Sequence, residues 1–135
     1  MKSTKRDEPG GPLASVVVCA FNEGALIARC LKSLASQAYP DGKFEIIVVD
    51  DGSTDETRKA TLRFLSLCPN KSNFDCNYVR IKHGGLAIAR NTGISLAEGE
   101  FIAFIDADAT ASANWLHSLI EPFSKSKDIG FTGGK

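Results

Sequence analysis

The chain of 135 residues lacks any apolar run long enough to form a membrane-spanning helix. Such a helix needs about 20 consecutive apolar residues. A net charge is also lacking, because 16 acidic residues balance 16 basic ones, so there is no overall field to attract nucleic acid. Hydrophobic residues at 43% and charged residues at 24% are ordinary for one globular domain with a real core. We therefore expect neither a transmembrane segment in this chain nor a nucleic-acid partner.

Neither the cysteines nor the N-terminus indicates an oxidising compartment. The four cysteines form no C-x-x-C pair and show no zinc-finger spacing. Cys19 lies in an apolar run and Cys30 on an apolar helix face, where reduced cysteines pack as small hydrophobic residues. Residues 1–12 are charged and rich in glycine and proline, without the apolar core of a secretory signal. They are predicted to be a disordered tail. The expected location is cytoplasmic, with the inner face of a membrane as an alternative.

Two common catalytic patterns are missing as well. His83-Gly84-Gly85 precedes a helix, where backbone N–H groups can contact a phosphate. No Gly-Lys-Ser/Thr follows, so this is not a Walker P-loop, and a plain turn is the favoured interpretation. Nothing in the sequence is typical of a Ser-His-Asp or Cys-His nucleophile arrangement. His117 is predicted at the surface of an amphipathic helix, and Arg90 is predicted to pair with an acid.

Strand and helix patterns alternate along the whole chain. The predicted strands are Ala14–Ala20, Phe44–Val49, Tyr78–Ile81 and Phe101–Ile105, with a fifth beginning at Ile129–Thr132. The predicted helices are Glu23–Ala38, Ser53–Leu67, Gly85–Glu98 and Trp115–Phe123. Ser53 and Glu56 form a capping box for the second helix, which is expected to bury Leu67. The alternation implies right-handed crossovers and a three-layer α/β/α fold with a mostly parallel, Rossmann-like sheet.

Five carboxylates follow two apolar runs that contain no charge of their own. They are Asp50, Asp51, Asp55, Asp106 and Asp108. The carboxyl ends of parallel strands meet at one edge of the sheet, where ligands bind in such folds. Clustered acids at that edge are costly unless a cation or a hydrogen-bonding ligand occupies them. The sequence therefore predicts a metal, together with something that the metal binds, at this edge.

The acids differ in how strongly they indicate a ligand. Asp106 and Asp108 are alternate residues after a strand and can converge on one hard divalent cation, although a D-x-D pattern alone is weak. Asp51 can accept a hydrogen bond from a base or a ribose, and the alternative is that Asp50 and Asp51 belong to an ordinary turn. The position of Asp55 in a first helical turn is explained by the helix dipole.

Four ordered motifs resemble the family-2 glycosyltransferases. They are VVVCAFNE, EIIVVDDGSTDET, GLAIARNTGI and AEGEFIAFIDADA. These are inverting enzymes of the GT-A fold that use nucleotide-diphosphate sugars, and the resemblance covers residues 13–134. It implies that Ala20, Phe21 and Glu23 line the nucleotide pocket. It also implies that Asp51 binds the base, usually uracil, with Asp50 nearby.

The same resemblance implies a metal site. Asp106 and Asp108 would coordinate Mn²⁺ or Mg²⁺ that bridges the diphosphate of a UDP-sugar, so Asp106 also belongs to the nucleotide site. The metal would neutralise the departing nucleoside diphosphate. Leu86 departs from the family pattern, and Gly84 and Gly85 offer no basic side chain, so this loop provides no charged contact to a phosphate.

The resemblance also implies a longer protein. Family members continue well past this length, and their second half supplies the acceptor pocket and the carboxylate base. The catalytic base is therefore unknown and expected beyond Lys135, and residues 13–135 are interpreted as the donor-binding half of a truncated GT-A domain. The acceptor would be a saccharide or a lipid-linked molecule, and an exposed sheet edge would favour a homo-oligomer.

Two other functions are considered for this chain. One is a non-catalytic module that binds nucleotide sugar, alone or with a partner chain. The other is a sugar-1-phosphate nucleotidyltransferase, which shares the architecture. The second would need a glycine-rich loop with arginine and lysine after the first strand, and Phe21-Asn22-Glu23-Gly24 is not such a loop.

Overall fold

The structure is a computed structural model that describes residues 13–39, 43–68 and 74–133. Its strands are β1 (Ala14–Ala20), β2 (Phe44–Asp50), β3 (Phe74–Arg80) and β4 (Phe101–Asp106). Its helices are α1 (Ile27–Ala35), α2 (Thr57–Leu67), α3 (Leu86–Leu96) and α4 (Trp115–Lys125). The strand order is β3-β2-β1-β4 and all three pairings are parallel. The predicted parallel α/β sheet is confirmed, whereas the predicted N-terminal tail lies outside the described residues.

The two central strands are buried on both faces. Their β-branched residues suit extended chain and give near-continuous apolar runs, as expected for a covered parallel strand. Val16 and Val18 point to the face that α1, α2 and α4 cover, and Val17 points to the face that α3 covers. Helix α3 packs closely on β1 because Gly93 has no side chain; a Cβ there would overlap Val17. The fold therefore has helices on both sides of the sheet. None of the helices in the described ranges combines the length and the apolar character needed to cross a bilayer.

Helix α1 is shorter than predicted at both ends. It begins at Ile27 rather than Glu23, because the preceding residues form a turn closed on the Glu23 carbonyl. It ends at Ala35 rather than Ala38. The N–H of Ala38 instead donates to the carbonyl of Ala113 at 2.7 Å, in the loop before α4. A long-range backbone hydrogen bond therefore replaces the last helical turn.

The capping box predicted for α2 is wrong. The helix begins at Thr57, and Ser53 makes no cap; its Oγ accepts the backbone N–H of Asn22 at 2.9 Å. Glu56 pairs with Lys59 at 3.0 Å instead of reaching back along the chain. Ser53 and Glu56 are residue types that often form a capping box, but here the Ser53 hydroxyl accepts a hydrogen bond from the loop after β1.

Strand β3 is longer than predicted, beginning at Phe74 rather than Tyr78. Phe74 and Cys76 are buried and alternate with exposed polar residues, which is the pattern of a strand with one solvated face. The polar positions made the segment look like a loop. Helices α3 and α4 and strand β4 differ from their predicted bounds only at their ends.

Two further expectations are wrong. The segment predicted as a fifth strand, Ile129–Thr132, is irregular, and the Thr132 hydroxyl donates to the Leu119 carbonyl at 2.7 Å. This segment is thus attached to α4 rather than to the sheet. Leu67 is 66% exposed, because α2 buries Thr57 and Thr61 rather than its last residue.

A buried hydrogen-bond network holds the amino-terminal edge of the sheet together. The Ser15 hydroxyl donates to Glu45 at 2.5 Å, and the Gly99 N–H donates back to Ser15 at 2.8 Å. Glu45 also accepts the N–H of Glu98 at 2.7 Å. A buried carboxylate is tolerated when donors surround it in this way. The network fixes the loop before β4 to the starts of β1 and β2.

Candidate functional site

The carboxyl ends of β1, β2 and β4 bring the predicted acids to one edge. Ala20 is paired in register with Asp50, and Cys19 with Asp106. Because β1 lies between β2 and β4, the ends of those two strands are separated by two strand spacings, about 10 Å. The predicted clustering at the carboxyl edge is therefore what the structure shows. The acids, however, have very different surroundings.

Asp50 is fully buried and engaged by the protein. One carboxylate oxygen accepts the N–H of Ser53 at 2.8 Å, and the other accepts the hydroxyl of Tyr78 at 2.6 Å. Burial, together with the hydrogen bond to Asp50, raises the pKa of Tyr78, so the phenol remains a donor at neutral pH. Asp50 thus joins the end of β2 to β3 and to the turn that follows β2.

Asp51 is the centre of a cradle formed by the turn at residues 83–85. Its Oδ1 accepts the N–H of Gly84 at 2.8 Å and its Oδ2 accepts the N–H of Gly85 at 2.9 Å. The Nδ1 of His83 lies 2.8 Å from the same Oδ2. Burial alone would raise the pKa of Asp51, but the two glycine N–H groups and His83 outweigh it and lower that pKa. Asp51 is only 4% exposed and remains ionised at neutral pH.

Two glycines allow this turn to form. Gly52 has a φ of 70°, and a Cβ there would lie 2.8 Å from the backbone nitrogen of His83. Gly85 has a φ of 98°, a conformation that other residues rarely adopt. The favoured interpretation of residues 83–85 as a turn agrees with the structure. Its N–H groups point to Asp51, and they are not free for a phosphate.

Phe21 and His83 form a flat aromatic pair beside this cradle. Their ring centroids are 4.2 Å apart and their planes differ by 19°. Phe21 is 44% exposed, so one side of the pair is open to solvent at the carboxyl edge. The family resemblance implied that Phe21 lines the nucleotide pocket, whereas His83 was predicted only as part of a turn. His83 follows β3 and Phe21 follows β1, with β2 between these strands, so no local sequence signal indicated their contact.

The loop after β1 is fastened to the turn before α2. Asn22 adopts a φ of 54°, and its Oδ1 accepts the N–H of Thr54 at 2.9 Å. The N–H of Glu23 donates to the Thr57 hydroxyl at 2.8 Å. The N–H of Gly24 donates to Asp55 at 3.0 Å. These contacts hold the backbone of the Phe21 loop against the acidic turn.

The predicted position of Asp55 in the first turn of the second helix is wrong, because α2 begins at Thr57 and has no acid in its first turn. Asp55 accepts hydrogen bonds from the Thr57 hydroxyl and N–H, as well as from Gly24. The Thr57 hydroxyl is the main cause of a lowered Asp55 pKa, which burial partly opposes. Asp55 is therefore a link between the β1 loop and α2, a role that its local sequence did not indicate.

Asp106 and Asp108 are both exposed, unlike the buried Asp50 and Asp51. Their turn is held through the backbone. The Asp106 carbonyl accepts from the Cys30 thiol at 3.6 Å, and the Asp108 carbonyl accepts from Arg29 at 3.1 Å. Burial raises the pKa of Cys30 to about 11, so the thiol keeps its proton. Ala107 between the acids is buried, which fixes the turn while both carboxylates face outward.

The protein side chains at this turn suit a cation whose coordination shell is completed by a bound ligand. Within the described residues, no group of three or more His, Cys, Asp or Glu side chains could hold a metal ion. The protein thus offers two carboxylates, from Asp106 and Asp108, rather than a closed cage. Magnesium is commonly held in this way, by one or two carboxylates with substrate phosphates and water completing the shell.

Arg90 is placed differently from its prediction. Its guanidinium lies over the ring of Phe104, 5.8 Å from the centroid. Arg90 also lies near Cys19. Burial raises the pKa of the Cys19 thiol, the charge of Arg90 lowers it, and the charges of Asp106 and Asp51 raise it. Arg90 is thus a cation close to the acids of the edge, held by an aromatic ring of β4.

These features define an α/β domain with a polar crevice at the carboxyl ends of its parallel strands, the arrangement of nucleotide-binding domains. The family model described as glycosyl transferase family 2 matches residues 15–134. The chain belongs to this family, and the resemblance stated above is confirmed.

Individual relatives agree with this membership. Glycosyltransferase AglE of Haloferax volcanii is 34% identical over 113 residues, covering 84% of this chain and 36% of AglE. The structure of TarS from Staphylococcus aureus with UDP-GlcNAc matches with a TM-score of 0.68 and 30% identity, over 90% of this chain and 36% of that one. The mannosyltransferase PcManGT from Pyrobaculum calidifontis, with GDP-Man and Mn²⁺, matches with a TM-score of 0.67 and 36% identity, over 74% and 28%. The chain therefore spans about a third of the length of these relatives.

Proposed function

We propose that this chain binds a nucleotide-diphosphate sugar, most simply a UDP-sugar, together with Mn²⁺ or Mg²⁺, as the donor-binding part of a glycosyltransferase. The single observation that carries the proposal is the exposed pair Asp106 and Asp108 on a backbone-held turn. It lies at the same sheet edge as the Asp51 cradle and the aromatic pair. The neighbours support the ligand class, because TarS is described with UDP-GlcNAc and PcManGT with GDP-Man and Mn²⁺.

The nucleoside would lie on the open side of the Phe21 ring, with Ala20 and Glu23 alongside. Asp51 has one acceptor position to offer it. A carboxylate has about four lone-pair sites, and Gly84, Gly85 and His83 use three of them. The remaining one can accept an N–H from a base. Asp50 is fully buried, so its part in the nucleotide site would be to hold the turn that carries Asp51.

Asp106 and Asp108 would hold the divalent ion beside the diphosphate. When bound, the ion would neutralise the negative charge that develops on the leaving nucleoside diphosphate. The protein's contribution is a pair of carboxylates already aimed outward, since Cys30 and Arg29 hold the turn by its carbonyls.

A second candidate function is a module that binds the donor without transferring its sugar. The specific observation in its favour concerns the acids at the strand ends. Asp50, Asp51 and Asp55 are engaged by hydrogen bonds, and Asp106 and Asp108 are assigned to the metal. Glu23, in the loop after β1, is assigned to the nucleotide pocket. With these assignments, no carboxylate in the described turns of this edge is left to deprotonate an acceptor hydroxyl. We expect UDP-sugar to bind to the isolated chain without release of UDP.

The test is calorimetric titration of the chain with UDP in the presence and absence of Mn²⁺. Wild type should bind UDP more tightly with Mn²⁺, and Asp108→Asn should lose this metal-dependent gain. The matched control is Asp128→Asn, which changes an exposed carboxylate after α4 and should behave as wild type. An undiminished Mn²⁺-dependent gain in Asp108→Asn would contradict the assignment of the metal pair.

A further inference from the structure

The His83 side chain makes two contacts that the proposed function assigns to a nucleobase. Its ring stacks on the ring of Phe21, with centroids 4.2 Å apart and planes that differ by 19°. Its Nδ1 lies 2.8 Å from the Oδ2 of Asp51 and 3.1 Å from the backbone carbonyl oxygen of Asp51. The stacking surface and the carboxylate are therefore both in contact with a side chain of the protein itself.

The imidazole of His83 presents an N–H to Asp51. Both atoms that face Nδ1 are acceptors, since a carbonyl has no hydrogen and the lowered pKa of Asp51 keeps its carboxylate ionised at neutral pH. Nδ1 therefore carries a hydrogen and donates it. A flat ring that stacks on an aromatic side chain and donates a ring N–H to a carboxylate is also what uracil or guanine provides. His83 thus resembles a base in shape and in hydrogen bonding.

The place of the imidazole suits both contacts better than the open side of Phe21 does. A base stacked on the open side has the Phe21 ring between itself and the imidazole. It must reach past that ring to approach Asp51, whose carboxylate contacts the imidazole on the other side. A base in the place of the imidazole would meet Phe21 and Asp51 together.

The side chain of His83 can leave this place while the turn stays closed. It is 57% exposed. The backbone of the turn is held by the Gly84 and Gly85 N–H groups, which donate to Asp51 at 2.8 and 2.9 Å and do not involve the imidazole. Rotation of the His83 side chain toward solvent therefore uncovers one face of Phe21 and one acceptor position of Asp51 without opening the cradle.

We infer that His83 occupies a nucleobase position in this structure, and that a nucleotide donor displaces it. The open side of Phe21 is the place that a base meets while His83 is stacked, and the place of the imidazole is where the base binds once His83 has left. His83 is then a competitor that lowers donor affinity rather than a support for the stack. The inference rests on the proposed function, because it concerns the same nucleoside site.

The experiment is calorimetric titration of His83→Ala with UDP in the presence of Mn²⁺. Apparent affinity falls with the population of the binding-competent state, and an open state populated to about 10% lowers it about ten-fold. His83→Ala should therefore bind UDP about ten-fold more tightly than wild type. The matched control is His117→Ala, which removes the other histidine of the chain, on α4, and should bind UDP as wild type does.

A second variant separates the two contacts of the imidazole. In His83→Asn the side-chain amide can still donate to Asp51, but no ring covers Phe21. The UDP affinity of this variant should lie between those of wild type and His83→Ala, because only the carboxylate is still engaged. Thermal unfolding of each variant checks that it is folded.

The displacement also has a spectroscopic readout in wild type. The chain contains two histidines, so NMR of the labelled histidine nitrogens gives few signals, and those of His83 are identified by their absence in His83→Ala. Saturating UDP should shift the Nδ1 signal of His83, because its contacts with Asp51 are lost, and should leave the signals of His117 unchanged. A side chain that only supports Phe21 would keep its contacts with Asp51, and its Nδ1 signal would move little.

Two results would overturn the inference while wild type binds UDP. One is equal or weaker UDP binding by folded His83→Ala, which would leave the base on the open side of Phe21. The other is an Nδ1 signal of His83 that stays in place at saturating UDP. Failure of the proposed function looks different, because then neither wild type nor His83→Ala binds UDP with Mn²⁺, and both proposals fall together.

Discussion

The Asp51 cradle allows a sharp test, because one carboxylate holds three donors of the same turn. In Asp51→Asn the side chain keeps its shape, but its amide nitrogen must face one of the N–H groups of Gly84 and Gly85. That N–H loses its acceptor, and the charge-assisted contact with His83 is lost as well. A lost hydrogen bond to a charged group costs about 1.5–3 kcal/mol, and a stranded donor costs a similar amount. Together these costs predict that the free energy of unfolding falls by about 3–6 kcal/mol at pH 7.

The pH dependence of the same variant has a defined sign. The folded-state pKa of Asp51 is lowered, so its stabilising effect is fully present above the unfolded-state value of about 3.9. It is lost as the pH falls through the lower folded-state value. The stability gap between wild type and Asp51→Asn should therefore be constant from pH 7 to pH 5 and narrow below about pH 4.

Urea denaturation of both proteins at several pH values measures this gap. Asp128→Asn is the control, since it removes an exposed carboxylate and should leave stability within a few tenths of a kcal/mol of wild type at every pH. A gap below about 0.5 kcal/mol at pH 7, or a gap that widens on acidification, would refute the reasoning about the cradle.

Two further predictions concern the aromatic pair and the packing of α3. Phe21→Ala should weaken UDP binding by about 5- to 150-fold in calorimetric titration, because base–aromatic stacking contributes about 1–3 kcal/mol. Unchanged affinity would remove the Phe21–His83 pair from the nucleotide site. Gly93→Ala should lower the free energy of unfolding by about 1–3 kcal/mol through overpacking against Val17, measured in urea. Gly130→Ala, where a Cβ meets nothing within 4 Å, should be nearly neutral, and equal effects of the two would contradict the packing argument.

The sequence predicted the sheet well because its central strands leave little choice. Runs such as Ile46–Val49 are β-branched, uncharged and too short for a helix, so they indicate buried parallel strands. Strand β3 was underestimated because it lies at the edge of the described sheet, and its polar residues alternate with Phe74 and Cys76. When the neighbouring strand is unknown, the polar residues of such an edge strand suggest a loop rather than a strand.

The site was predicted in place but not in detail. Because the carboxyl ends of parallel strands meet at one edge of a sheet, the sequence alone predicted that the acids lie close together. It could not show that three of them are engaged, because their donors come from distant segments: Tyr78 for Asp50, the 83–85 turn for Asp51, and Gly24 for Asp55. Ser53 is a second example. The local sequence does not distinguish a serine that caps a helix from one that accepts a hydrogen bond from a distant loop, as Ser53 does from Asn22.

The pairing of β1 between β2 and β4 has a consequence for how the domain folds. Ala14 pairs with Phe101, so the last contact of the central strand closes across most of the chain. Pairings of such long sequence separation slow folding, because the entropy of loop closure is lost before the contact forms. During synthesis, the backbone N–H and C=O groups along one edge of β1 remain unpaired until β4 has left the ribosome. The Asp106–Asp108 turn therefore joins the Asp51 cradle at the carboxyl edge only when β4 pairs with β1.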